Sequence, residues 1–290
     1  MKILLLGGTK FFGARLSKIL QEQGHDLTIL SRHKLPKFIN ITIDRFDLKA
    51  MKKSLNLSTW DIVYDQICYG PDHAQISVDI FNGNIGKYIY TSTGSVYDDL
   101  NKKILLETDK NPLSALIKMG SYKDFTYGEA KFLAEAVLFQ KSEFQVAALR
   151  FPFVVGVDDY TKRTLFHIQR SFQEKDLYFP KLGAQCSFIS SLEAAQALDY
   201  SKDPNIGGVY NICSNGSISL RSFMDQIESV LRKKIIYASS PSDENHSPYG
   251  LDNDFSLSNE KALNAGFKFR ETKLVMKELI EKLFQQNQSD

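Results

Sequence analysis

The chain has few of the residues that would mark it as a metal scaffold, a disulfide-stapled domain or a membrane protein. Its cysteines number three, Cys68, Cys186 and Cys213, and they are far apart. No pair has metal-ligand spacing, so they are expected to be buried thiols in a reducing cytoplasm. There is one tryptophan, Trp60, expected to pack rather than to form a binding platform. The apolar run Ile3–Leu6 is far too short for a signal peptide or a membrane span. Basic and acidic residues nearly cancel, 36 against 34, leaving a net charge of +2. That gives a nucleic-acid backbone or a membrane surface little to hold. Internal repeats and low-complexity tracts are also missing. What remains is an ordinary balance of 43% apolar and 24% charged residues over 290 positions. This is enough for a globular enzyme of one large domain with a smaller lobe. Its expected partner is a small molecule, and the composition leaves room for a homodimer.

Short apolar runs alternate with helical periodicities through the first half. Ile3–Leu6 reads as a strand buried on both faces, and Phe12, Leu16, Ile19 and Leu20 mark a helix that Gly24 closes. Strands follow at Leu27–Leu30, Asn40–Ile43, Ile62–Tyr64, Tyr88–Thr91 and Val146–Leu149. Helices are expected at Leu48–Leu55, Ala74–Phe81 and Tyr127–Phe139. This alternation predicts an α/β fold, a Rossmann-type doubly wound parallel sheet. The second half is less regular. Helices are expected at Thr164–Gln173, Leu192–Tyr200, Leu220–Leu231 and Thr272–Phe284, a strand at Gly208–Ile212 and a polar loop at Ser239–Asn245. Residues 1–155 are therefore assigned to a dinucleotide-binding core. Residues 156–290 are assigned mainly to a substrate-binding lobe, entered near Gly156, with a strand near 208–213 rejoining the sheet.

Gly7-Gly8-Thr9-Lys10-Phe11-Phe12-Gly13 lies between the first strand and the first helix. Unpaired N–H groups at a helix start, together with the helix dipole, favour an anion. Glycines let the backbone turn tightly and approach a pyrophosphate, and Gly13 lets the helix pack on the strand. A nicotinamide dinucleotide is the expected ligand, with a plain strand-to-helix turn as the alternative. At the end of the second strand stands Ser31-Arg32-His33-Lys34, with no acid to hold ribose hydroxyls. A hydroxyl and a guanidinium suit a 2′-phosphate, so NADP is preferred over NAD. A solvated basic loop is the other reading.

Tyr127-Gly128-Glu129-Ala130-Lys131 places a tyrosine and a lysine one helical turn apart on one face. A nearby ammonium favours the phenolate, which makes tyrosine usable as a base. Among 13 tyrosines about one such spacing arises by chance, so its position carries the weight. It opens a long helix some thirty residues after Thr93. The fifth strand ends in Thr91-Ser92-Thr93-Gly94-Ser95-Val96-Tyr97, hydroxyl-rich where parallel sheets bind ligands, although ordinary turn capping would use the same residues.

Together these segments make the chain resemble the extended short-chain dehydrogenases/reductases, the NAD(P)-dependent epimerases and dehydratases, over nearly its whole length. Leu149-Arg150-Phe151-Pro152-Phe153-Val154-Val155-Gly156 resembles the family's stretch beside the nicotinamide, and Ser187–Glu193 its later F-I-H-V-x-D segment. The resemblance implies that Tyr127 is the general acid/base. Lys131 would lower its pKa and hold the nicotinamide ribose, and Thr93 would orient the substrate oxygen. It implies cofactor contacts from Gly7, Thr9, Lys10, Phe11, Phe12 and Gly13, and from Ser31 and Arg32. Asp44 and Arg45 would border adenine, and Tyr69, Thr91, Ser92, Phe151, Phe153 and Val154 would also contact the cofactor.

Several positions depart from the family pattern. Lys10 replaces the middle glycine of G-x-x-G-x-x-G, which resembles an atypical G-G-x-x-x-x-G subgroup that includes relatives of chloroplast stem-loop-binding proteins. A cation at Lys10 could reach a phosphate on the adenosine ribose. Phe153 stands where nucleotide-sugar epimerases tend to carry asparagine, Ser190 replaces the later histidine, and Gln185-Cys186 stand where an arginine often precedes it. A nucleoside-diphosphate sugar is therefore in doubt, and Phe151, Phe153 and Phe166 suggest a less polar pocket. Gly94 after Thr93 lacks the acid expected for 4,6-dehydration. The expected function is hydride transfer to or from a sugar or related hydroxy or carbonyl compound, as epimerase or reductase. The alternative is a non-catalytic NADP-binding or RNA-binding protein. A pure binder has no need of Thr93, Tyr127 and Lys131 together. Asp158-Asp159-Tyr160 is read either as the border of the active site or as a simple loop, and His167 as a surface or core histidine rather than a catalytic one.

Overall fold

The computed structural model describes residues 1–55 and 58–289. In chain order the elements of the first half are β1 (Lys2–Leu6), α1 (Phe11–Glu22), β2 (Asp26–Ser31), β3 (Ile39–Thr42), α2 (Leu48–Leu55), β4 (Trp60–Asp65), α3 (Pro71–Phe81), β5 (Ile85–Thr93), α4 (Tyr127–Lys141) and β6 (Gln145–Phe151). The second half adds β7 (Phe153–Val155), α5 (Arg163–Phe172), β8 (Gln185–Cys186), β9 (Phe188–Ser190), α6 (Ser191–Tyr200), β10 (Gly208–Asn211), β11 (Ile218–Ser219), α7 (Leu220–Leu231), α8 (Glu260–Asn264) and α9 (Thr272–Ser289).

Seven parallel strands form one sheet in the order β10-β6-β5-β4-β1-β2-β3. The chain winds from β1 outward to β3, then returns to β4 and winds the other way. The switch lies between β1 and β4, and ligands bind beyond the strand ends at such a point. Each face of the sheet has its own core. Ile3 and Leu5 pack with Leu16 and Leu20 of α1 on one face, while Leu4 and Leu6 join Val78, Ala134 and Val137 from α3 and α4 on the other. This alternation explains why β1 reads as an unbroken apolar run. Gly24, in the left-handed region at φ 75°, ends α1 as expected. Trp60 is buried, with the Lys2 ammonium over its ring.

The second half contributes to two places. Ala194, Ala195 and Leu198 of α6 join the α1 core, and β10 pairs in parallel with β6, so both elements belong to the sheet's own layers. The remainder makes a lobe around Val155, Phe188, Phe223, Tyr249 and Met276, where α5, α7 and α9 pack over the short β7–β9 pair. His167 is completely buried there, bonded to the Arg163 carbonyl and the Ser247 hydroxyl, and is a core residue. All three cysteines are buried and free. Among the described residues no helix is long and apolar enough to cross a membrane.

Candidate active site

A cavity of about 560 Å³ opens between the C-terminal edge of the sheet and the lobe. Its sheet-side wall carries Phe11, Phe12, Gln66, Tyr69, Thr91, Ser92, Thr93, Tyr127 and Lys131. β5 delivers Thr93 and α4 delivers Tyr127 and Lys131, so residues spread over some forty positions meet in one place.

The glycine turn borders this wall. Gly7 and Gly8 both adopt left-handed backbone, φ 85° and 70°, open to glycine at little cost. A Cβ on Gly13 would lie 2.1 Å from Gln66 Oε1 and 2.6 Å from the Gly8 backbone, so only glycine lets α1 sit this close. Phe11 takes φ 53°, costly for a bulky residue and found most often at functional sites. No side chain caps α1, and its first turn contains no acid. Two buried polar atoms on the wall, Gln66 Nε2 and Thr91 Oγ1, have no hydrogen-bond partner among the described residues.

The three expected catalytic residues line the cavity. Tyr127 is exposed to it. The surrounding protein still pushes the phenol's pKa up by limiting water, and the Thr93 hydroxyl pulls it partly back. Thr93 Oγ1 also accepts from the Ser95 backbone N–H at 3.2 Å. Lys131 is buried, and its ammonium donates to the carbonyls of Cys68 and Thr91 at 2.8 and 2.7 Å and lies over the Tyr90 ring. Burial lowers its pKa to about 8. Lys131 is expected to lower the pKa of Tyr127, and in this arrangement its ammonium makes its hydrogen bonds to backbone carbonyls rather than to the phenol. Its charge is settled on backbone carbonyls, and two of its three donors are engaged.

Other expected residues divide. Phe151, Phe153, Val154 and Tyr69 line the cavity. Ser92 is at the wall, but its hydroxyl donates to Glu135 at 2.5 Å. Glu135 and Arg150, both fully buried, form an ion pair. Arg150 also donates to the Tyr97 hydroxyl, which donates in turn to Asn211 of β10. Gly7, Thr9, Lys10 and Gly13 lie beside the cavity rather than on its lining. The Lys10 ammonium sits 5.7 Å from the centre of the Tyr160 ring, leaning towards the lobe. The Ser31 hydroxyl is bonded to the His33 carbonyl, and Arg32 and Asp44 are exposed, with Asp44 accepting from the Phe46 N–H. Arg45 is a correction. Its side chain is 2% exposed and points inward to Asp65, Ser77 and the His73 carbonyl, so its guanidinium faces the core and not adenine.

Beyond the expected site residues the cavity is lined by Tyr97, from the hydroxyl-rich β5 segment, and Asp98 beside the start of α4, and on the lobe side by Tyr160, Thr161, Arg163 and Leu251–Phe255. Tyr160 resolves the open reading of its loop in favour of a border position. Asp98 follows a 3-10 turn at Gly94–Tyr97, and partial burial raises its carboxyl to about 6. Leu251–Phe255 carries no motif. It arrives through pairing of Phe255 with Cys186 and of Leu257 with Leu105, which only the fold discloses.

No family model matches the chain. Its sequence is 31% identical over 114 residues to chloroplast stem-loop binding protein of 41 kDa b from Arabidopsis thaliana, covering 33% of this chain and 30% of that protein. Solved structures match end to end. UDP-glucose 4-epimerase of Thermotoga maritima, solved with UDP-glucose, superposes with a TM-score of 0.73 over 99% of this chain and 100% of that one at 16% identity. A short-chain dehydrogenase/reductase superfamily protein of Agrobacterium tumefaciens, solved with bound NAD, gives 0.74 over 99% and 98% at 15% identity. The chain thus has the fold of the extended short-chain dehydrogenases/reductases, with its cavity at the sheet's switch point.

Proposed function

We propose that the protein is an NAD(P)-dependent oxidoreductase of the extended short-chain dehydrogenase/reductase family, of the epimerase/dehydratase type, acting on a sugar or related hydroxy or carbonyl compound. One observation carries this reading. Thr93, Tyr127 and Lys131 converge on a single cavity beside a glycine turn whose Gly13 position admits no side chain.

The sheet-side wall fits a dinucleotide. The uncapped start of α1 offers N–H groups to a pyrophosphate, Gly13 keeps the helix close, and Gln66 Nε2 and Thr91 Oγ1 await polar partners. Lys131, with one donor left, and Tyr69 would hold the nicotinamide half, and Arg32 the adenosine ribose. When bound, the nicotinamide supplies a hydride acceptor or donor. Tyr127 takes the proton of the substrate hydroxyl as the carbinol is oxidised and returns it on reduction. Thr93 orients the same oxygen by hydrogen bonding. The phenol's raised pKa leaves it protonated in the free protein. A cationic ring beside it would favour the phenolate, so base strength arises only where it is needed.

The test replaces Tyr127 with Phe. Turnover on a panel of sugars and ketones should fall at least a hundredfold with cofactor affinity unchanged, and unchanged turnover overturns the mechanism. The stem-loop-binding relative favours a second reading, RNA binding without catalysis. A net charge of +2 supports it poorly, and micromolar, salt-sensitive binding of an RNA hairpin with no turnover would establish it instead.

A further inference from the structure

Resting on that reading, we infer that the lobe-side half of the cavity takes an uncharged polyhydroxy or hydroxycarbonyl compound and excludes nucleoside diphosphates. A pyrophosphate leaving water needs cations or aimed donors in exchange. Among the described residues, two cations line the cavity. Lys131 belongs to the sheet-side wall and is bonded to two carbonyls. Arg163 is the cation lining the cavity on the lobe side, and its Nε and Nη2 are already engaged. Its Nε donates to Thr161 Oγ1 at 3.0 Å and lies 3.8 Å from the buried Asp159 carboxylate, and its Nη2 donates to the Val154 carbonyl at 3.2 Å. The guanidinium also lies over the rings of Phe153 and Tyr249, at 5.5 and 5.8 Å. It is structural in this arrangement, fixing β7 to the start of α5.

The remaining charge lining the cavity is negative. Asp98, Asp252 and Asp254 all line the cavity. Asp254 is matched by Lys181 at 3.0 Å, whereas Asp98 and Asp252 have no cation within ion-pair distance among the described residues. Two unmatched carboxylates repel a diphosphate but accept hydroxyl hydrogens, Asp98 with the capacity left beside its Ser95 hydrogen bond. Asn253 adds both a donor and an acceptor. Beneath them Phe153 packs on Phe255 at 5.6 Å, giving an aromatic floor suited to the C–H face of a sugar or cyclitol. Phe153 thus bears on specificity by placing an aromatic ring in the lining.

The experiment is calorimetric titration of the protein saturated with whichever nicotinamide dinucleotide binds. UDP and UDP-glucose at millimolar concentration should give no binding heat, and Asp252→Arg should bind UDP at least tenfold tighter than the unaltered protein. A panel of aldoses, alditols and cyclitols should include a compound that reduces the bound cofactor, with the activity lost in Tyr127→Phe. Micromolar UDP binding to the unaltered protein, no gain in Asp252→Arg, or silence across the uncharged panel each overturns the inference. If neither dinucleotide binds, the cofactor reading itself falls, and this inference with it.

Discussion

Arg32 shows how much can depend on one side chain. β2 ends in Ser31, whose hydroxyl is spent on the His33 carbonyl, so under the proposed NADP reading Arg32 is the exposed group that would meet a ribose phosphate. Lys10 leans towards Tyr160 and shifts the weight of the NADP preference onto Arg32. A guanidinium paired with a phosphate gives charge-assisted bonds, and reversing its sign converts attraction into repulsion. Arg32→Asp is expected to weaken NADPH at least tenfold and to leave NADH within about threefold, by fluorescence titration. Tighter NADH than NADPH binding by the unaltered protein would end the preference. The same scale explains the misreading of Arg45. In the sequence it stands beside Asp44 after a strand, but the carboxylate of Asp65, twenty positions on, draws it into the core. A pattern of neighbours along the chain does not record which distant charge a side chain will find.

At the scale of elements, α1 and the turn before it form one device. Glycine inside a helix normally costs about 1 kcal/mol relative to alanine. At Gly13 the sign reverses, because the added methyl would overlap Gln66 and the backbone of Gly8, and backbone cannot step aside as a side chain can. Gly13→Ala should destabilise the protein by about 1–3 kcal/mol in urea unfolding and weaken dinucleotide binding at least tenfold. A gain in stability would show that the helix can move off β1. α4 is buried along most of its length. Gly128, Ala130, Lys131, Leu133, Ala134, Glu135, Ala136, Val137 and Leu138 are all buried, because the segment around Pro112–Ser114 covers its outer face. Gln140 fastens that segment by donating to the Pro112 and Ala115 carbonyls.

Across the whole molecule, stability should depend on pH through two buried histidines in different layers. His167 in the lobe and His73 on α3 both have pKa values lowered to about 4, chiefly by burial, from an ordinary 6.5. As pH falls below 6.5 the unfolded chain takes up these protons and the native state does not. Their contribution is therefore complete above pH 6.5 and is lost progressively down to about 4. Each proton is worth about 1.4 kcal/mol per pH unit in that window. Asp98, raised to about 6, works the other way, since the native state protonates it first. The balance is a loss, and urea unfolding should give a smaller unfolding free energy at pH 5 than at pH 7. Equal values would mean that the histidines are hydrated or already charged in the native state.

The sequence by itself determined the sheet, the helices of its layers, the glycine turn and the Thr93–Tyr127–Lys131 set. These depend on short-range rules: a period of two or 3.6 residues, a glycine after a strand, a tyrosine and lysine one turn apart. The short strands β7, β8, β9 and β11 carry too few residues to show a period, and the 3-10 turns between β5 and α4 have none. Only the tertiary structure decided that Leu251–Phe255 faces Tyr127, that Arg163 is held by Asp159 and two aromatic rings, and that Arg45 turns inward. These outcomes depend on which surfaces meet when the lobe closes on the sheet. The sheet-side wall is built from local motifs visible along the chain, whereas the lobe-side wall joins distant segments and became legible only once folded.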